Sequence, residues 1–122
     1  MATTDGAWKP LSMELGGEFL PDGVLQTIEL ILEGNSYLLR TGGEMDKGTV
    51  TFDEKTDPLR MDITGTSGPN AGKHFPAIWR LERNILTVCY GLEGEPRPSS
   101  FATGRNPKLF LVEYARVPPR ED

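Results

Sequence analysis

One cysteine and one histidine stand in a chain of 122 residues, and that scarcity excludes several kinds of site at once. A lone thiol, Cys89, allows neither an internal disulfide nor a cysteine-based zinc site. With His74 as the only imidazole, a nucleophilic Cys–His pair would require these two to meet in space beside a third, orienting group. No local pattern announces such a pair. Cys89 lies within Ile85-Leu86-Thr87-Val88-Cys89-Tyr90, where a small, buried, unreactive hydrophobe is the expected role. No catalytic residue, metal ligand or cofactor is therefore expected.

Clustered positive charge is also missing. Lys and Arg number 13 against 18 Asp and Glu, for a formal charge of -5, and the basic residues are scattered singly. A nucleic-acid binder needs a basic stripe to displace counterions from phosphates, so none is expected as a partner. No apolar run approaches the roughly 20 residues of a membrane span; the longest, at 28–32, is interrupted by Glu29. Met1-Ala2-Thr3-Thr4-Asp5-Gly6 has no basic or apolar leader region. The chain as it stands thus carries the expectation of a cytoplasmic protein, with an exported form made from a precursor as the alternative. Gly68-Pro69-Asn70-Ala71-Gly72-Lys73 lacks the first glycine of a phosphate loop, the Ser or Thr after its lysine, and a following helix. The acidic clusters Asp53, Glu54, Asp57 and Glu44, Asp46 lack calcium-loop spacing. They are expected to be solvated turn residues.

Long helices are absent as well, because no stretch keeps helical periodicity over about a dozen residues. What is present is a succession of short strand signals. The 14 glycines and 10 prolines are dispersed, as many turns between short elements require. A first strand over 6–15 contains Pro10, which predicts an edge, bulge or bend because proline cannot donate to a ladder. Asp22 stands where it would cap a single helical turn. Further strands are predicted over 27–33 and 36–40, joined by the tight turn Gly34-Asn35, then over 48–52. In Leu59-Arg60-Met61-Asp62-Ile63-Thr64 the alternation is cleanest, with Leu59, Met61 and Ile63 facing in. Strands over 75–82 and 85–90 flank the turn Arg83-Asn84, 91–104 is irregular, and 108–116 closes the pattern before a polar tail at 117–122. About eight strands, each linked to the next by a short turn, form an antiparallel meander, and closure into a barrel is the common way to hide its edges. The expected fold is all-β, one lipocalin-like barrel domain over 1–122 with its core at about 6–116; a two-sheet sandwich is the alternative.

Gly6-x-Trp8 at the start of the first strand resembles the calycin superfamily of lipocalins, avidins and fatty-acid-binding proteins. The resemblance implies that Trp8 plugs the closed end of the barrel, with Arg116 of the last strand packed across it. The ordered set Gly6-x-Trp8, Met13-Glu14-x-x-Gly17, Gly34-Asn35-Ser36-Tyr37, Gly48-Thr49-Val50-Thr51-Phe52, Pro58-x-x-Met61-Asp62-Ile63, Gly68-Pro69-Asn70-x-Gly72-Lys73, Leu86-Thr87-Val88-Cys89-Tyr90 and Arg97-Pro98-x-x-Phe101 is similar to a bacterial lipocalin-like domain family expanded in planctomycetes, to which no biochemical function is attached. The likeness runs from about Gly6 to Tyr114. It brings no catalytic residues. The chain lacks the Thr-Asp-Tyr signature and terminal helix of lipocalins and the paired helical lid of fatty-acid-binding proteins, so neither family's ligand carries over.

Arg97-Pro98-Ser99-Ser100-Phe101 is the segment expected to reach the open mouth, with Arg97 meeting an anionic group and Phe101 as an apolar wall. The competing reading pairs Arg97 with a surface acid and leaves Phe101 capping the core. Trp79, Tyr90 and Tyr114 either line a ligand cavity or, with Trp8, fill the barrel outright. If Leu86, Val88 and Tyr90 face in opposite Phe110, Val112 and Tyr114, then Arg116 faces in and meets Trp8. The leading functional expectation is non-catalytic binding of a small apolar or anionic molecule. The alternative is a protein-interaction module with the barrel as scaffold; an enzyme comes third. Oligomeric state is not written in the pattern.

Overall fold

The computed structural model describes residues 4–118. Residues 119–122 of the predicted tail, and the first three of the N-terminal segment, lie outside the described residues. The chain forms β1 (Gly6–Leu15), β2 (Glu18–Phe19), α1 (Asp22–Leu25), β3 (Ile28–Glu33), β4 (Ser36–Thr41), β5 (Glu44–Asp53), β6 (Leu59–Ser67), β7 (His74–Glu82), β8 (Ile85–Gly91) and β9 (Leu109–Arg116). Each strand from β3 to β9 pairs antiparallel with the next, β1 pairs with β3, and β1 also pairs with β9. That last pairing closes an eight-stranded antiparallel barrel, consistent with a calycin-like architecture; β2 is a short flap on β1.

Alternation decides which side chains enter. On β6, Met61 and Ile63 are buried while Arg60 and Thr64 are exposed, and Leu59 packs against the core. Gly34-Asn35 joins β3 to β4 in the predicted hairpin, in register from Glu33↔Ser36 to Ile28↔Thr41. Pro10 does what a proline does in a ladder: the β1–β9 register slips between Pro10 and Ser12, and β1 leaves β3 after Trp8. Beyond that point β2 pairs with the end of β1, and α1 packs against β1 with Leu25 buried. Asp22 begins that turn but does not cap it; Pro21 holds the N-cap position, with no side-chain cap.

One face departs from simple alternation. Ile78, Thr87 and Cys89 point away from the barrel axis yet are 1 %, 4 % and 0 % exposed. They are covered by the segment 92–108, which runs down the outside of β7, β8 and β1 as a strap. Thr103, itself buried, is its central rivet. Its hydroxyl donates to Glu14 Oε2 and accepts the Gly17 amide at 2.9 Å. The Cys89 thiol lies 4.0 Å from the Ala102 carbonyl, and burial pushes its pKa up.

Candidate functional site

The two ends of the barrel differ. The end holding the Gly34-Asn35 and Arg83-Asn84 turns is filled by aromatic side chains. Trp8 is fully buried, and the Arg116 guanidinium lies 4.4 Å from its ring centre. Such a cation–π contact contributes about 0.5–2 kcal/mol. Arg116 is held from its far side by the Asp5 carbonyl at 2.6 Å and by Asn84 Oδ1 at 3.0 Å. Trp79 stands at the same end, edge-on to Phe52 at 5.3 Å, with its indole N–H on the Arg60 carbonyl at 2.9 Å. It belongs to the plug and not to the wall of a ligand space.

The other end is open. From it a cavity of about 370 Å³ reaches into the barrel. Its wall is hydrocarbon for most of its depth: Met13, Leu30, Leu32, Val50, Met61, Ile63, Leu86, Val88 and Phe110, with Leu20, Ile28, Phe75 and Leu92 toward the opening. Three tyrosines, Tyr37, Tyr90 and Tyr114, interrupt it; Thr41, Asn70, Lys73 and Glu93 form the polar part of the rim. Tyr90 and Tyr114 bring their hydroxyls to 2.9 Å of each other. Tyr37 is the one of the three cavity tyrosines that the sequence reading passed over. Its position on the same face as Leu39, two residues along β4, was the signal available.

The rim is held by a residue misjudged as solvated. Asp46 is 7 % exposed and accepts the Asn70 amide at 2.9 Å and the Asn70 side-chain amide at 2.7 Å. It thereby fixes the small-residue loop between β6 and β7. That loop folds back on β6 through Gly65 N–H to the Lys73 carbonyl and Gly72 N–H to the Gly65 carbonyl, both 2.9 Å.

Arg97 and Phe101 are not at the mouth. The strap carries them down the outer face, because Thr103 and Pro98 are buried against the outward side of the sheet. Arg97 donates to the Met61 and Ala77 carbonyls at 3.0 and 2.9 Å and to Asp62 Oδ1 at 2.7 Å. These contacts adjoin Pro76, which has no N–H to give the ladder. The same Asp62 oxygen is 3.2 Å from His74 Nε2. Phe101 lies under the Arg80 guanidinium, 4.5 Å from its ring centre. The pairing of Arg97 with an acid matches the plainer of the two sequence readings, and Phe101 covers the outside of the barrel, not its core.

Burial sets the state of the tyrosine pair. It pushes the Tyr114 hydroxyl up from 10.0 to about 12, and burial with the Tyr114 neighbour drives Tyr90 well above its ordinary value. Both are neutral phenols at physiological pH. A raised folded-state value means that the unfolded chain ionises first, so the contribution is complete below about pH 10 and is lost as pH rises toward about 12. For Tyr114 this amounts to about 2–3 kcal/mol. Urea unfolding followed between about pH 9 and 11.5 should show stability falling steeply in the native protein and less steeply in Tyr114→Phe. Identical slopes would mean that this hydroxyl is not held neutral in the fold.

No family model, curated protein or solved structure gives a significant match to the chain. Among the described residues no group of three or more His, Cys, Asp and Glu is placed to hold a metal ion, and no helix is long and apolar enough to cross a membrane.

Proposed function

We propose that the protein is a non-catalytic binding module that takes a small, largely apolar molecule into the barrel through its open end. The observation that supports this reading is the cavity of about 370 Å³. Ligand sites commonly measure roughly 300–1,000 Å³ and are mostly apolar with a few placed polar groups. An eight-stranded barrel can instead be filled by its own side chains; here Trp8 and Trp79 fill one end and leave the remainder. The likeness of Gly6-x-Trp8 and the wider motif order to lipocalin-like domains agrees with this reading, and membership of such a family is part of the proposal. Arg97, the residue expected to meet an anion, is engaged outside the barrel.

The test is titration with a compact apolar probe, ethylnaphthalene, read by thermal upshift and by change in tryptophan emission. At a hundredfold excess over its dissociation constant a ligand adds about 2.7 kcal/mol. Val88→Phe, which enlarges a fully buried side chain in the cavity wall, should abolish the shift while the circular dichroism spectrum persists. Arg97→Ala should lower stability by about 1–3 kcal/mol by stripping a donor from two carbonyls, yet leave probe binding intact. No upshift in the native protein, or one untouched by Val88→Phe, sinks the reading.

A second reading, an accessory module that binds a protein partner on its outer surface, is favoured by one observation. Phe19 is 69 % exposed beside a groove of about 240 Å³ that also contains Phe101 and Leu111. It requires that Phe19→Ser weaken a defined association without altering the probe-induced upshift.

A further inference from the structure

The cavity wall holds hydroxyl hydrogens that no acceptor among the described residues takes up. Tyr90 and Tyr114 are each other's only hydroxyl partners among the described residues. Two phenols carry two hydrogens, and one oxygen–oxygen contact uses one of them. The second is left over. Tyr37, from the facing side of the barrel, packs its ring against Gly48, and its hydroxyl has no partner among the described residues. Burial raises all three phenols, so they remain donors across the physiological range.

Charge is distributed in the opposite sense. Among the described residues arginine is absent from the wall, and the ionised side chains that line the cavity are Lys73 and Glu93, one of each sign, both exposed at the rim. A carboxylate drawn to the tyrosines would lose its water without gaining a counter-ion. A pure hydrocarbon would leave the spare hydroxyl hydrogens unmatched. A carbonyl or ether oxygen accepts hydrogen bonds and carries no net charge.

Building on the binding reading above, we propose that the cavity prefers an uncharged, compact molecule whose apolar body carries a hydrogen-bond-accepting oxygen, of the ketone, ester or quinone class. The spare hydrogen of the Tyr90–Tyr114 pair meets that oxygen, and Tyr37 offers a second donor. The pair supplies its donor without ionising or moving, since either phenol can be the one that bonds the other.

Calorimetric titration with three probes of similar shape tests this: methyl naphthyl ketone, ethylnaphthalene and the naphthoate ion at neutral pH. The native protein should bind the ketone about tenfold more tightly than either of the others. In the double variant Tyr90→Phe, Tyr114→Phe the advantage of ketone over hydrocarbon should shrink to about twofold, with ethylnaphthalene still bound. Tyr90→Phe alone leaves one free hydroxyl on Tyr114 and should keep most of the preference, which separates lost donation from lost fold. Equal binding of ketone and hydrocarbon, or tightest binding of naphthoate, overturns the inference and leaves cavity binding standing. Failure of every probe removes the binding reading, and this inference with it.

Discussion

Trp8→Ala should lower the stability of the protein by about 3–5 kcal/mol, the range for emptying a buried tryptophan site. The indole has no exposed surface. Its N–H donates to the Thr4 carbonyl at 2.9 Å, and its backbone stands opposite Leu30 on one side and Arg116 on the other. The substitution therefore empties the closed end, removes the ring beneath the Arg116 guanidinium, and loosens the place where the first strand meets two neighbours. Small domains are stable by about 5–15 kcal/mol, so the variant should be marginal at room temperature. Urea unfolding checks this, with Trp79 as the remaining tryptophan and hence a clean emission reporter. Arg116→Met should cost far less, because it removes the cation and keeps the filled ring site. A loss under about 1 kcal/mol for Trp8→Ala would show that this end is not part of the core.

Gly48→Ala should be nearly as damaging, although it adds a single methyl group. Gly48 sits opposite Gly65 across the β5–β6 ladder, where the register slips by one residue. A Cβ there would run into the Thr64 carbonyl oxygen, lie 2.5 Å from Tyr37 Cε2 and 3.0 Å from the Gly65 Cα. Two of these neighbours are backbone of the adjoining strand and cannot retreat without opening the ladder. The third is the ring of a cavity tyrosine. We expect a loss of about 3 kcal/mol or more, at the upper end for overpacking. Gly43→Ala is the matched control, since a Cβ at Gly43 meets nothing within 4 Å and its φ is not positive. It should be neutral or stabilising by up to about 1 kcal/mol through the unfolded chain. Equal stability curves for the two variants would contradict the packing described here.

The barrel was legible in the sequence because period two is a local signal. Met61 and Ile63 alternate with polar neighbours, and Gly34-Asn35 marks a hairpin without reference to anything distant. The contact of Trp8 with Arg116 came from the resemblance carried by Gly6-x-Trp8; the strand pattern left two phases open, and the one with Val112 and Tyr114 inward is the one that brings Arg116 to Trp8. The strap was not legible, and it misplaced Arg97 and Phe101. A segment with Pro96 and Pro98 declares that it is not a central strand, but not which side of the sheet it will cover. One trace of it was present: Ile85 to Tyr90 contains no charged residue on either face, with Thr87 alone breaking the apolar run, as strands covered on both faces do. Asp46 was missed for a related reason. An acidic residue among turn residues is normally hydrated, and only the fold-back of the Gly65–Lys73 segment brings the Asn70 donors to it.

The β1–β9 pairing carries a consequence for how the molecule is made. Trp8 finds Arg116, and Leu15 finds Phe110, only when all the strands between them are available. Synthesis runs from the N-terminus, so until β9 has emerged β1 and β8 must each wait with an unpaired row of amides and carbonyls, the arrangement that invites pairing with other chains. Closure by the terminal strands is a contact of very long sequence separation, and such contacts slow folding. Pro10, the bulge after it, and the strap drawn across β8 and β1 stand at the two edges exposed during that interval. In the finished barrel they shape one wall; in the unfinished one they stand where a growing chain is most open to the wrong partner.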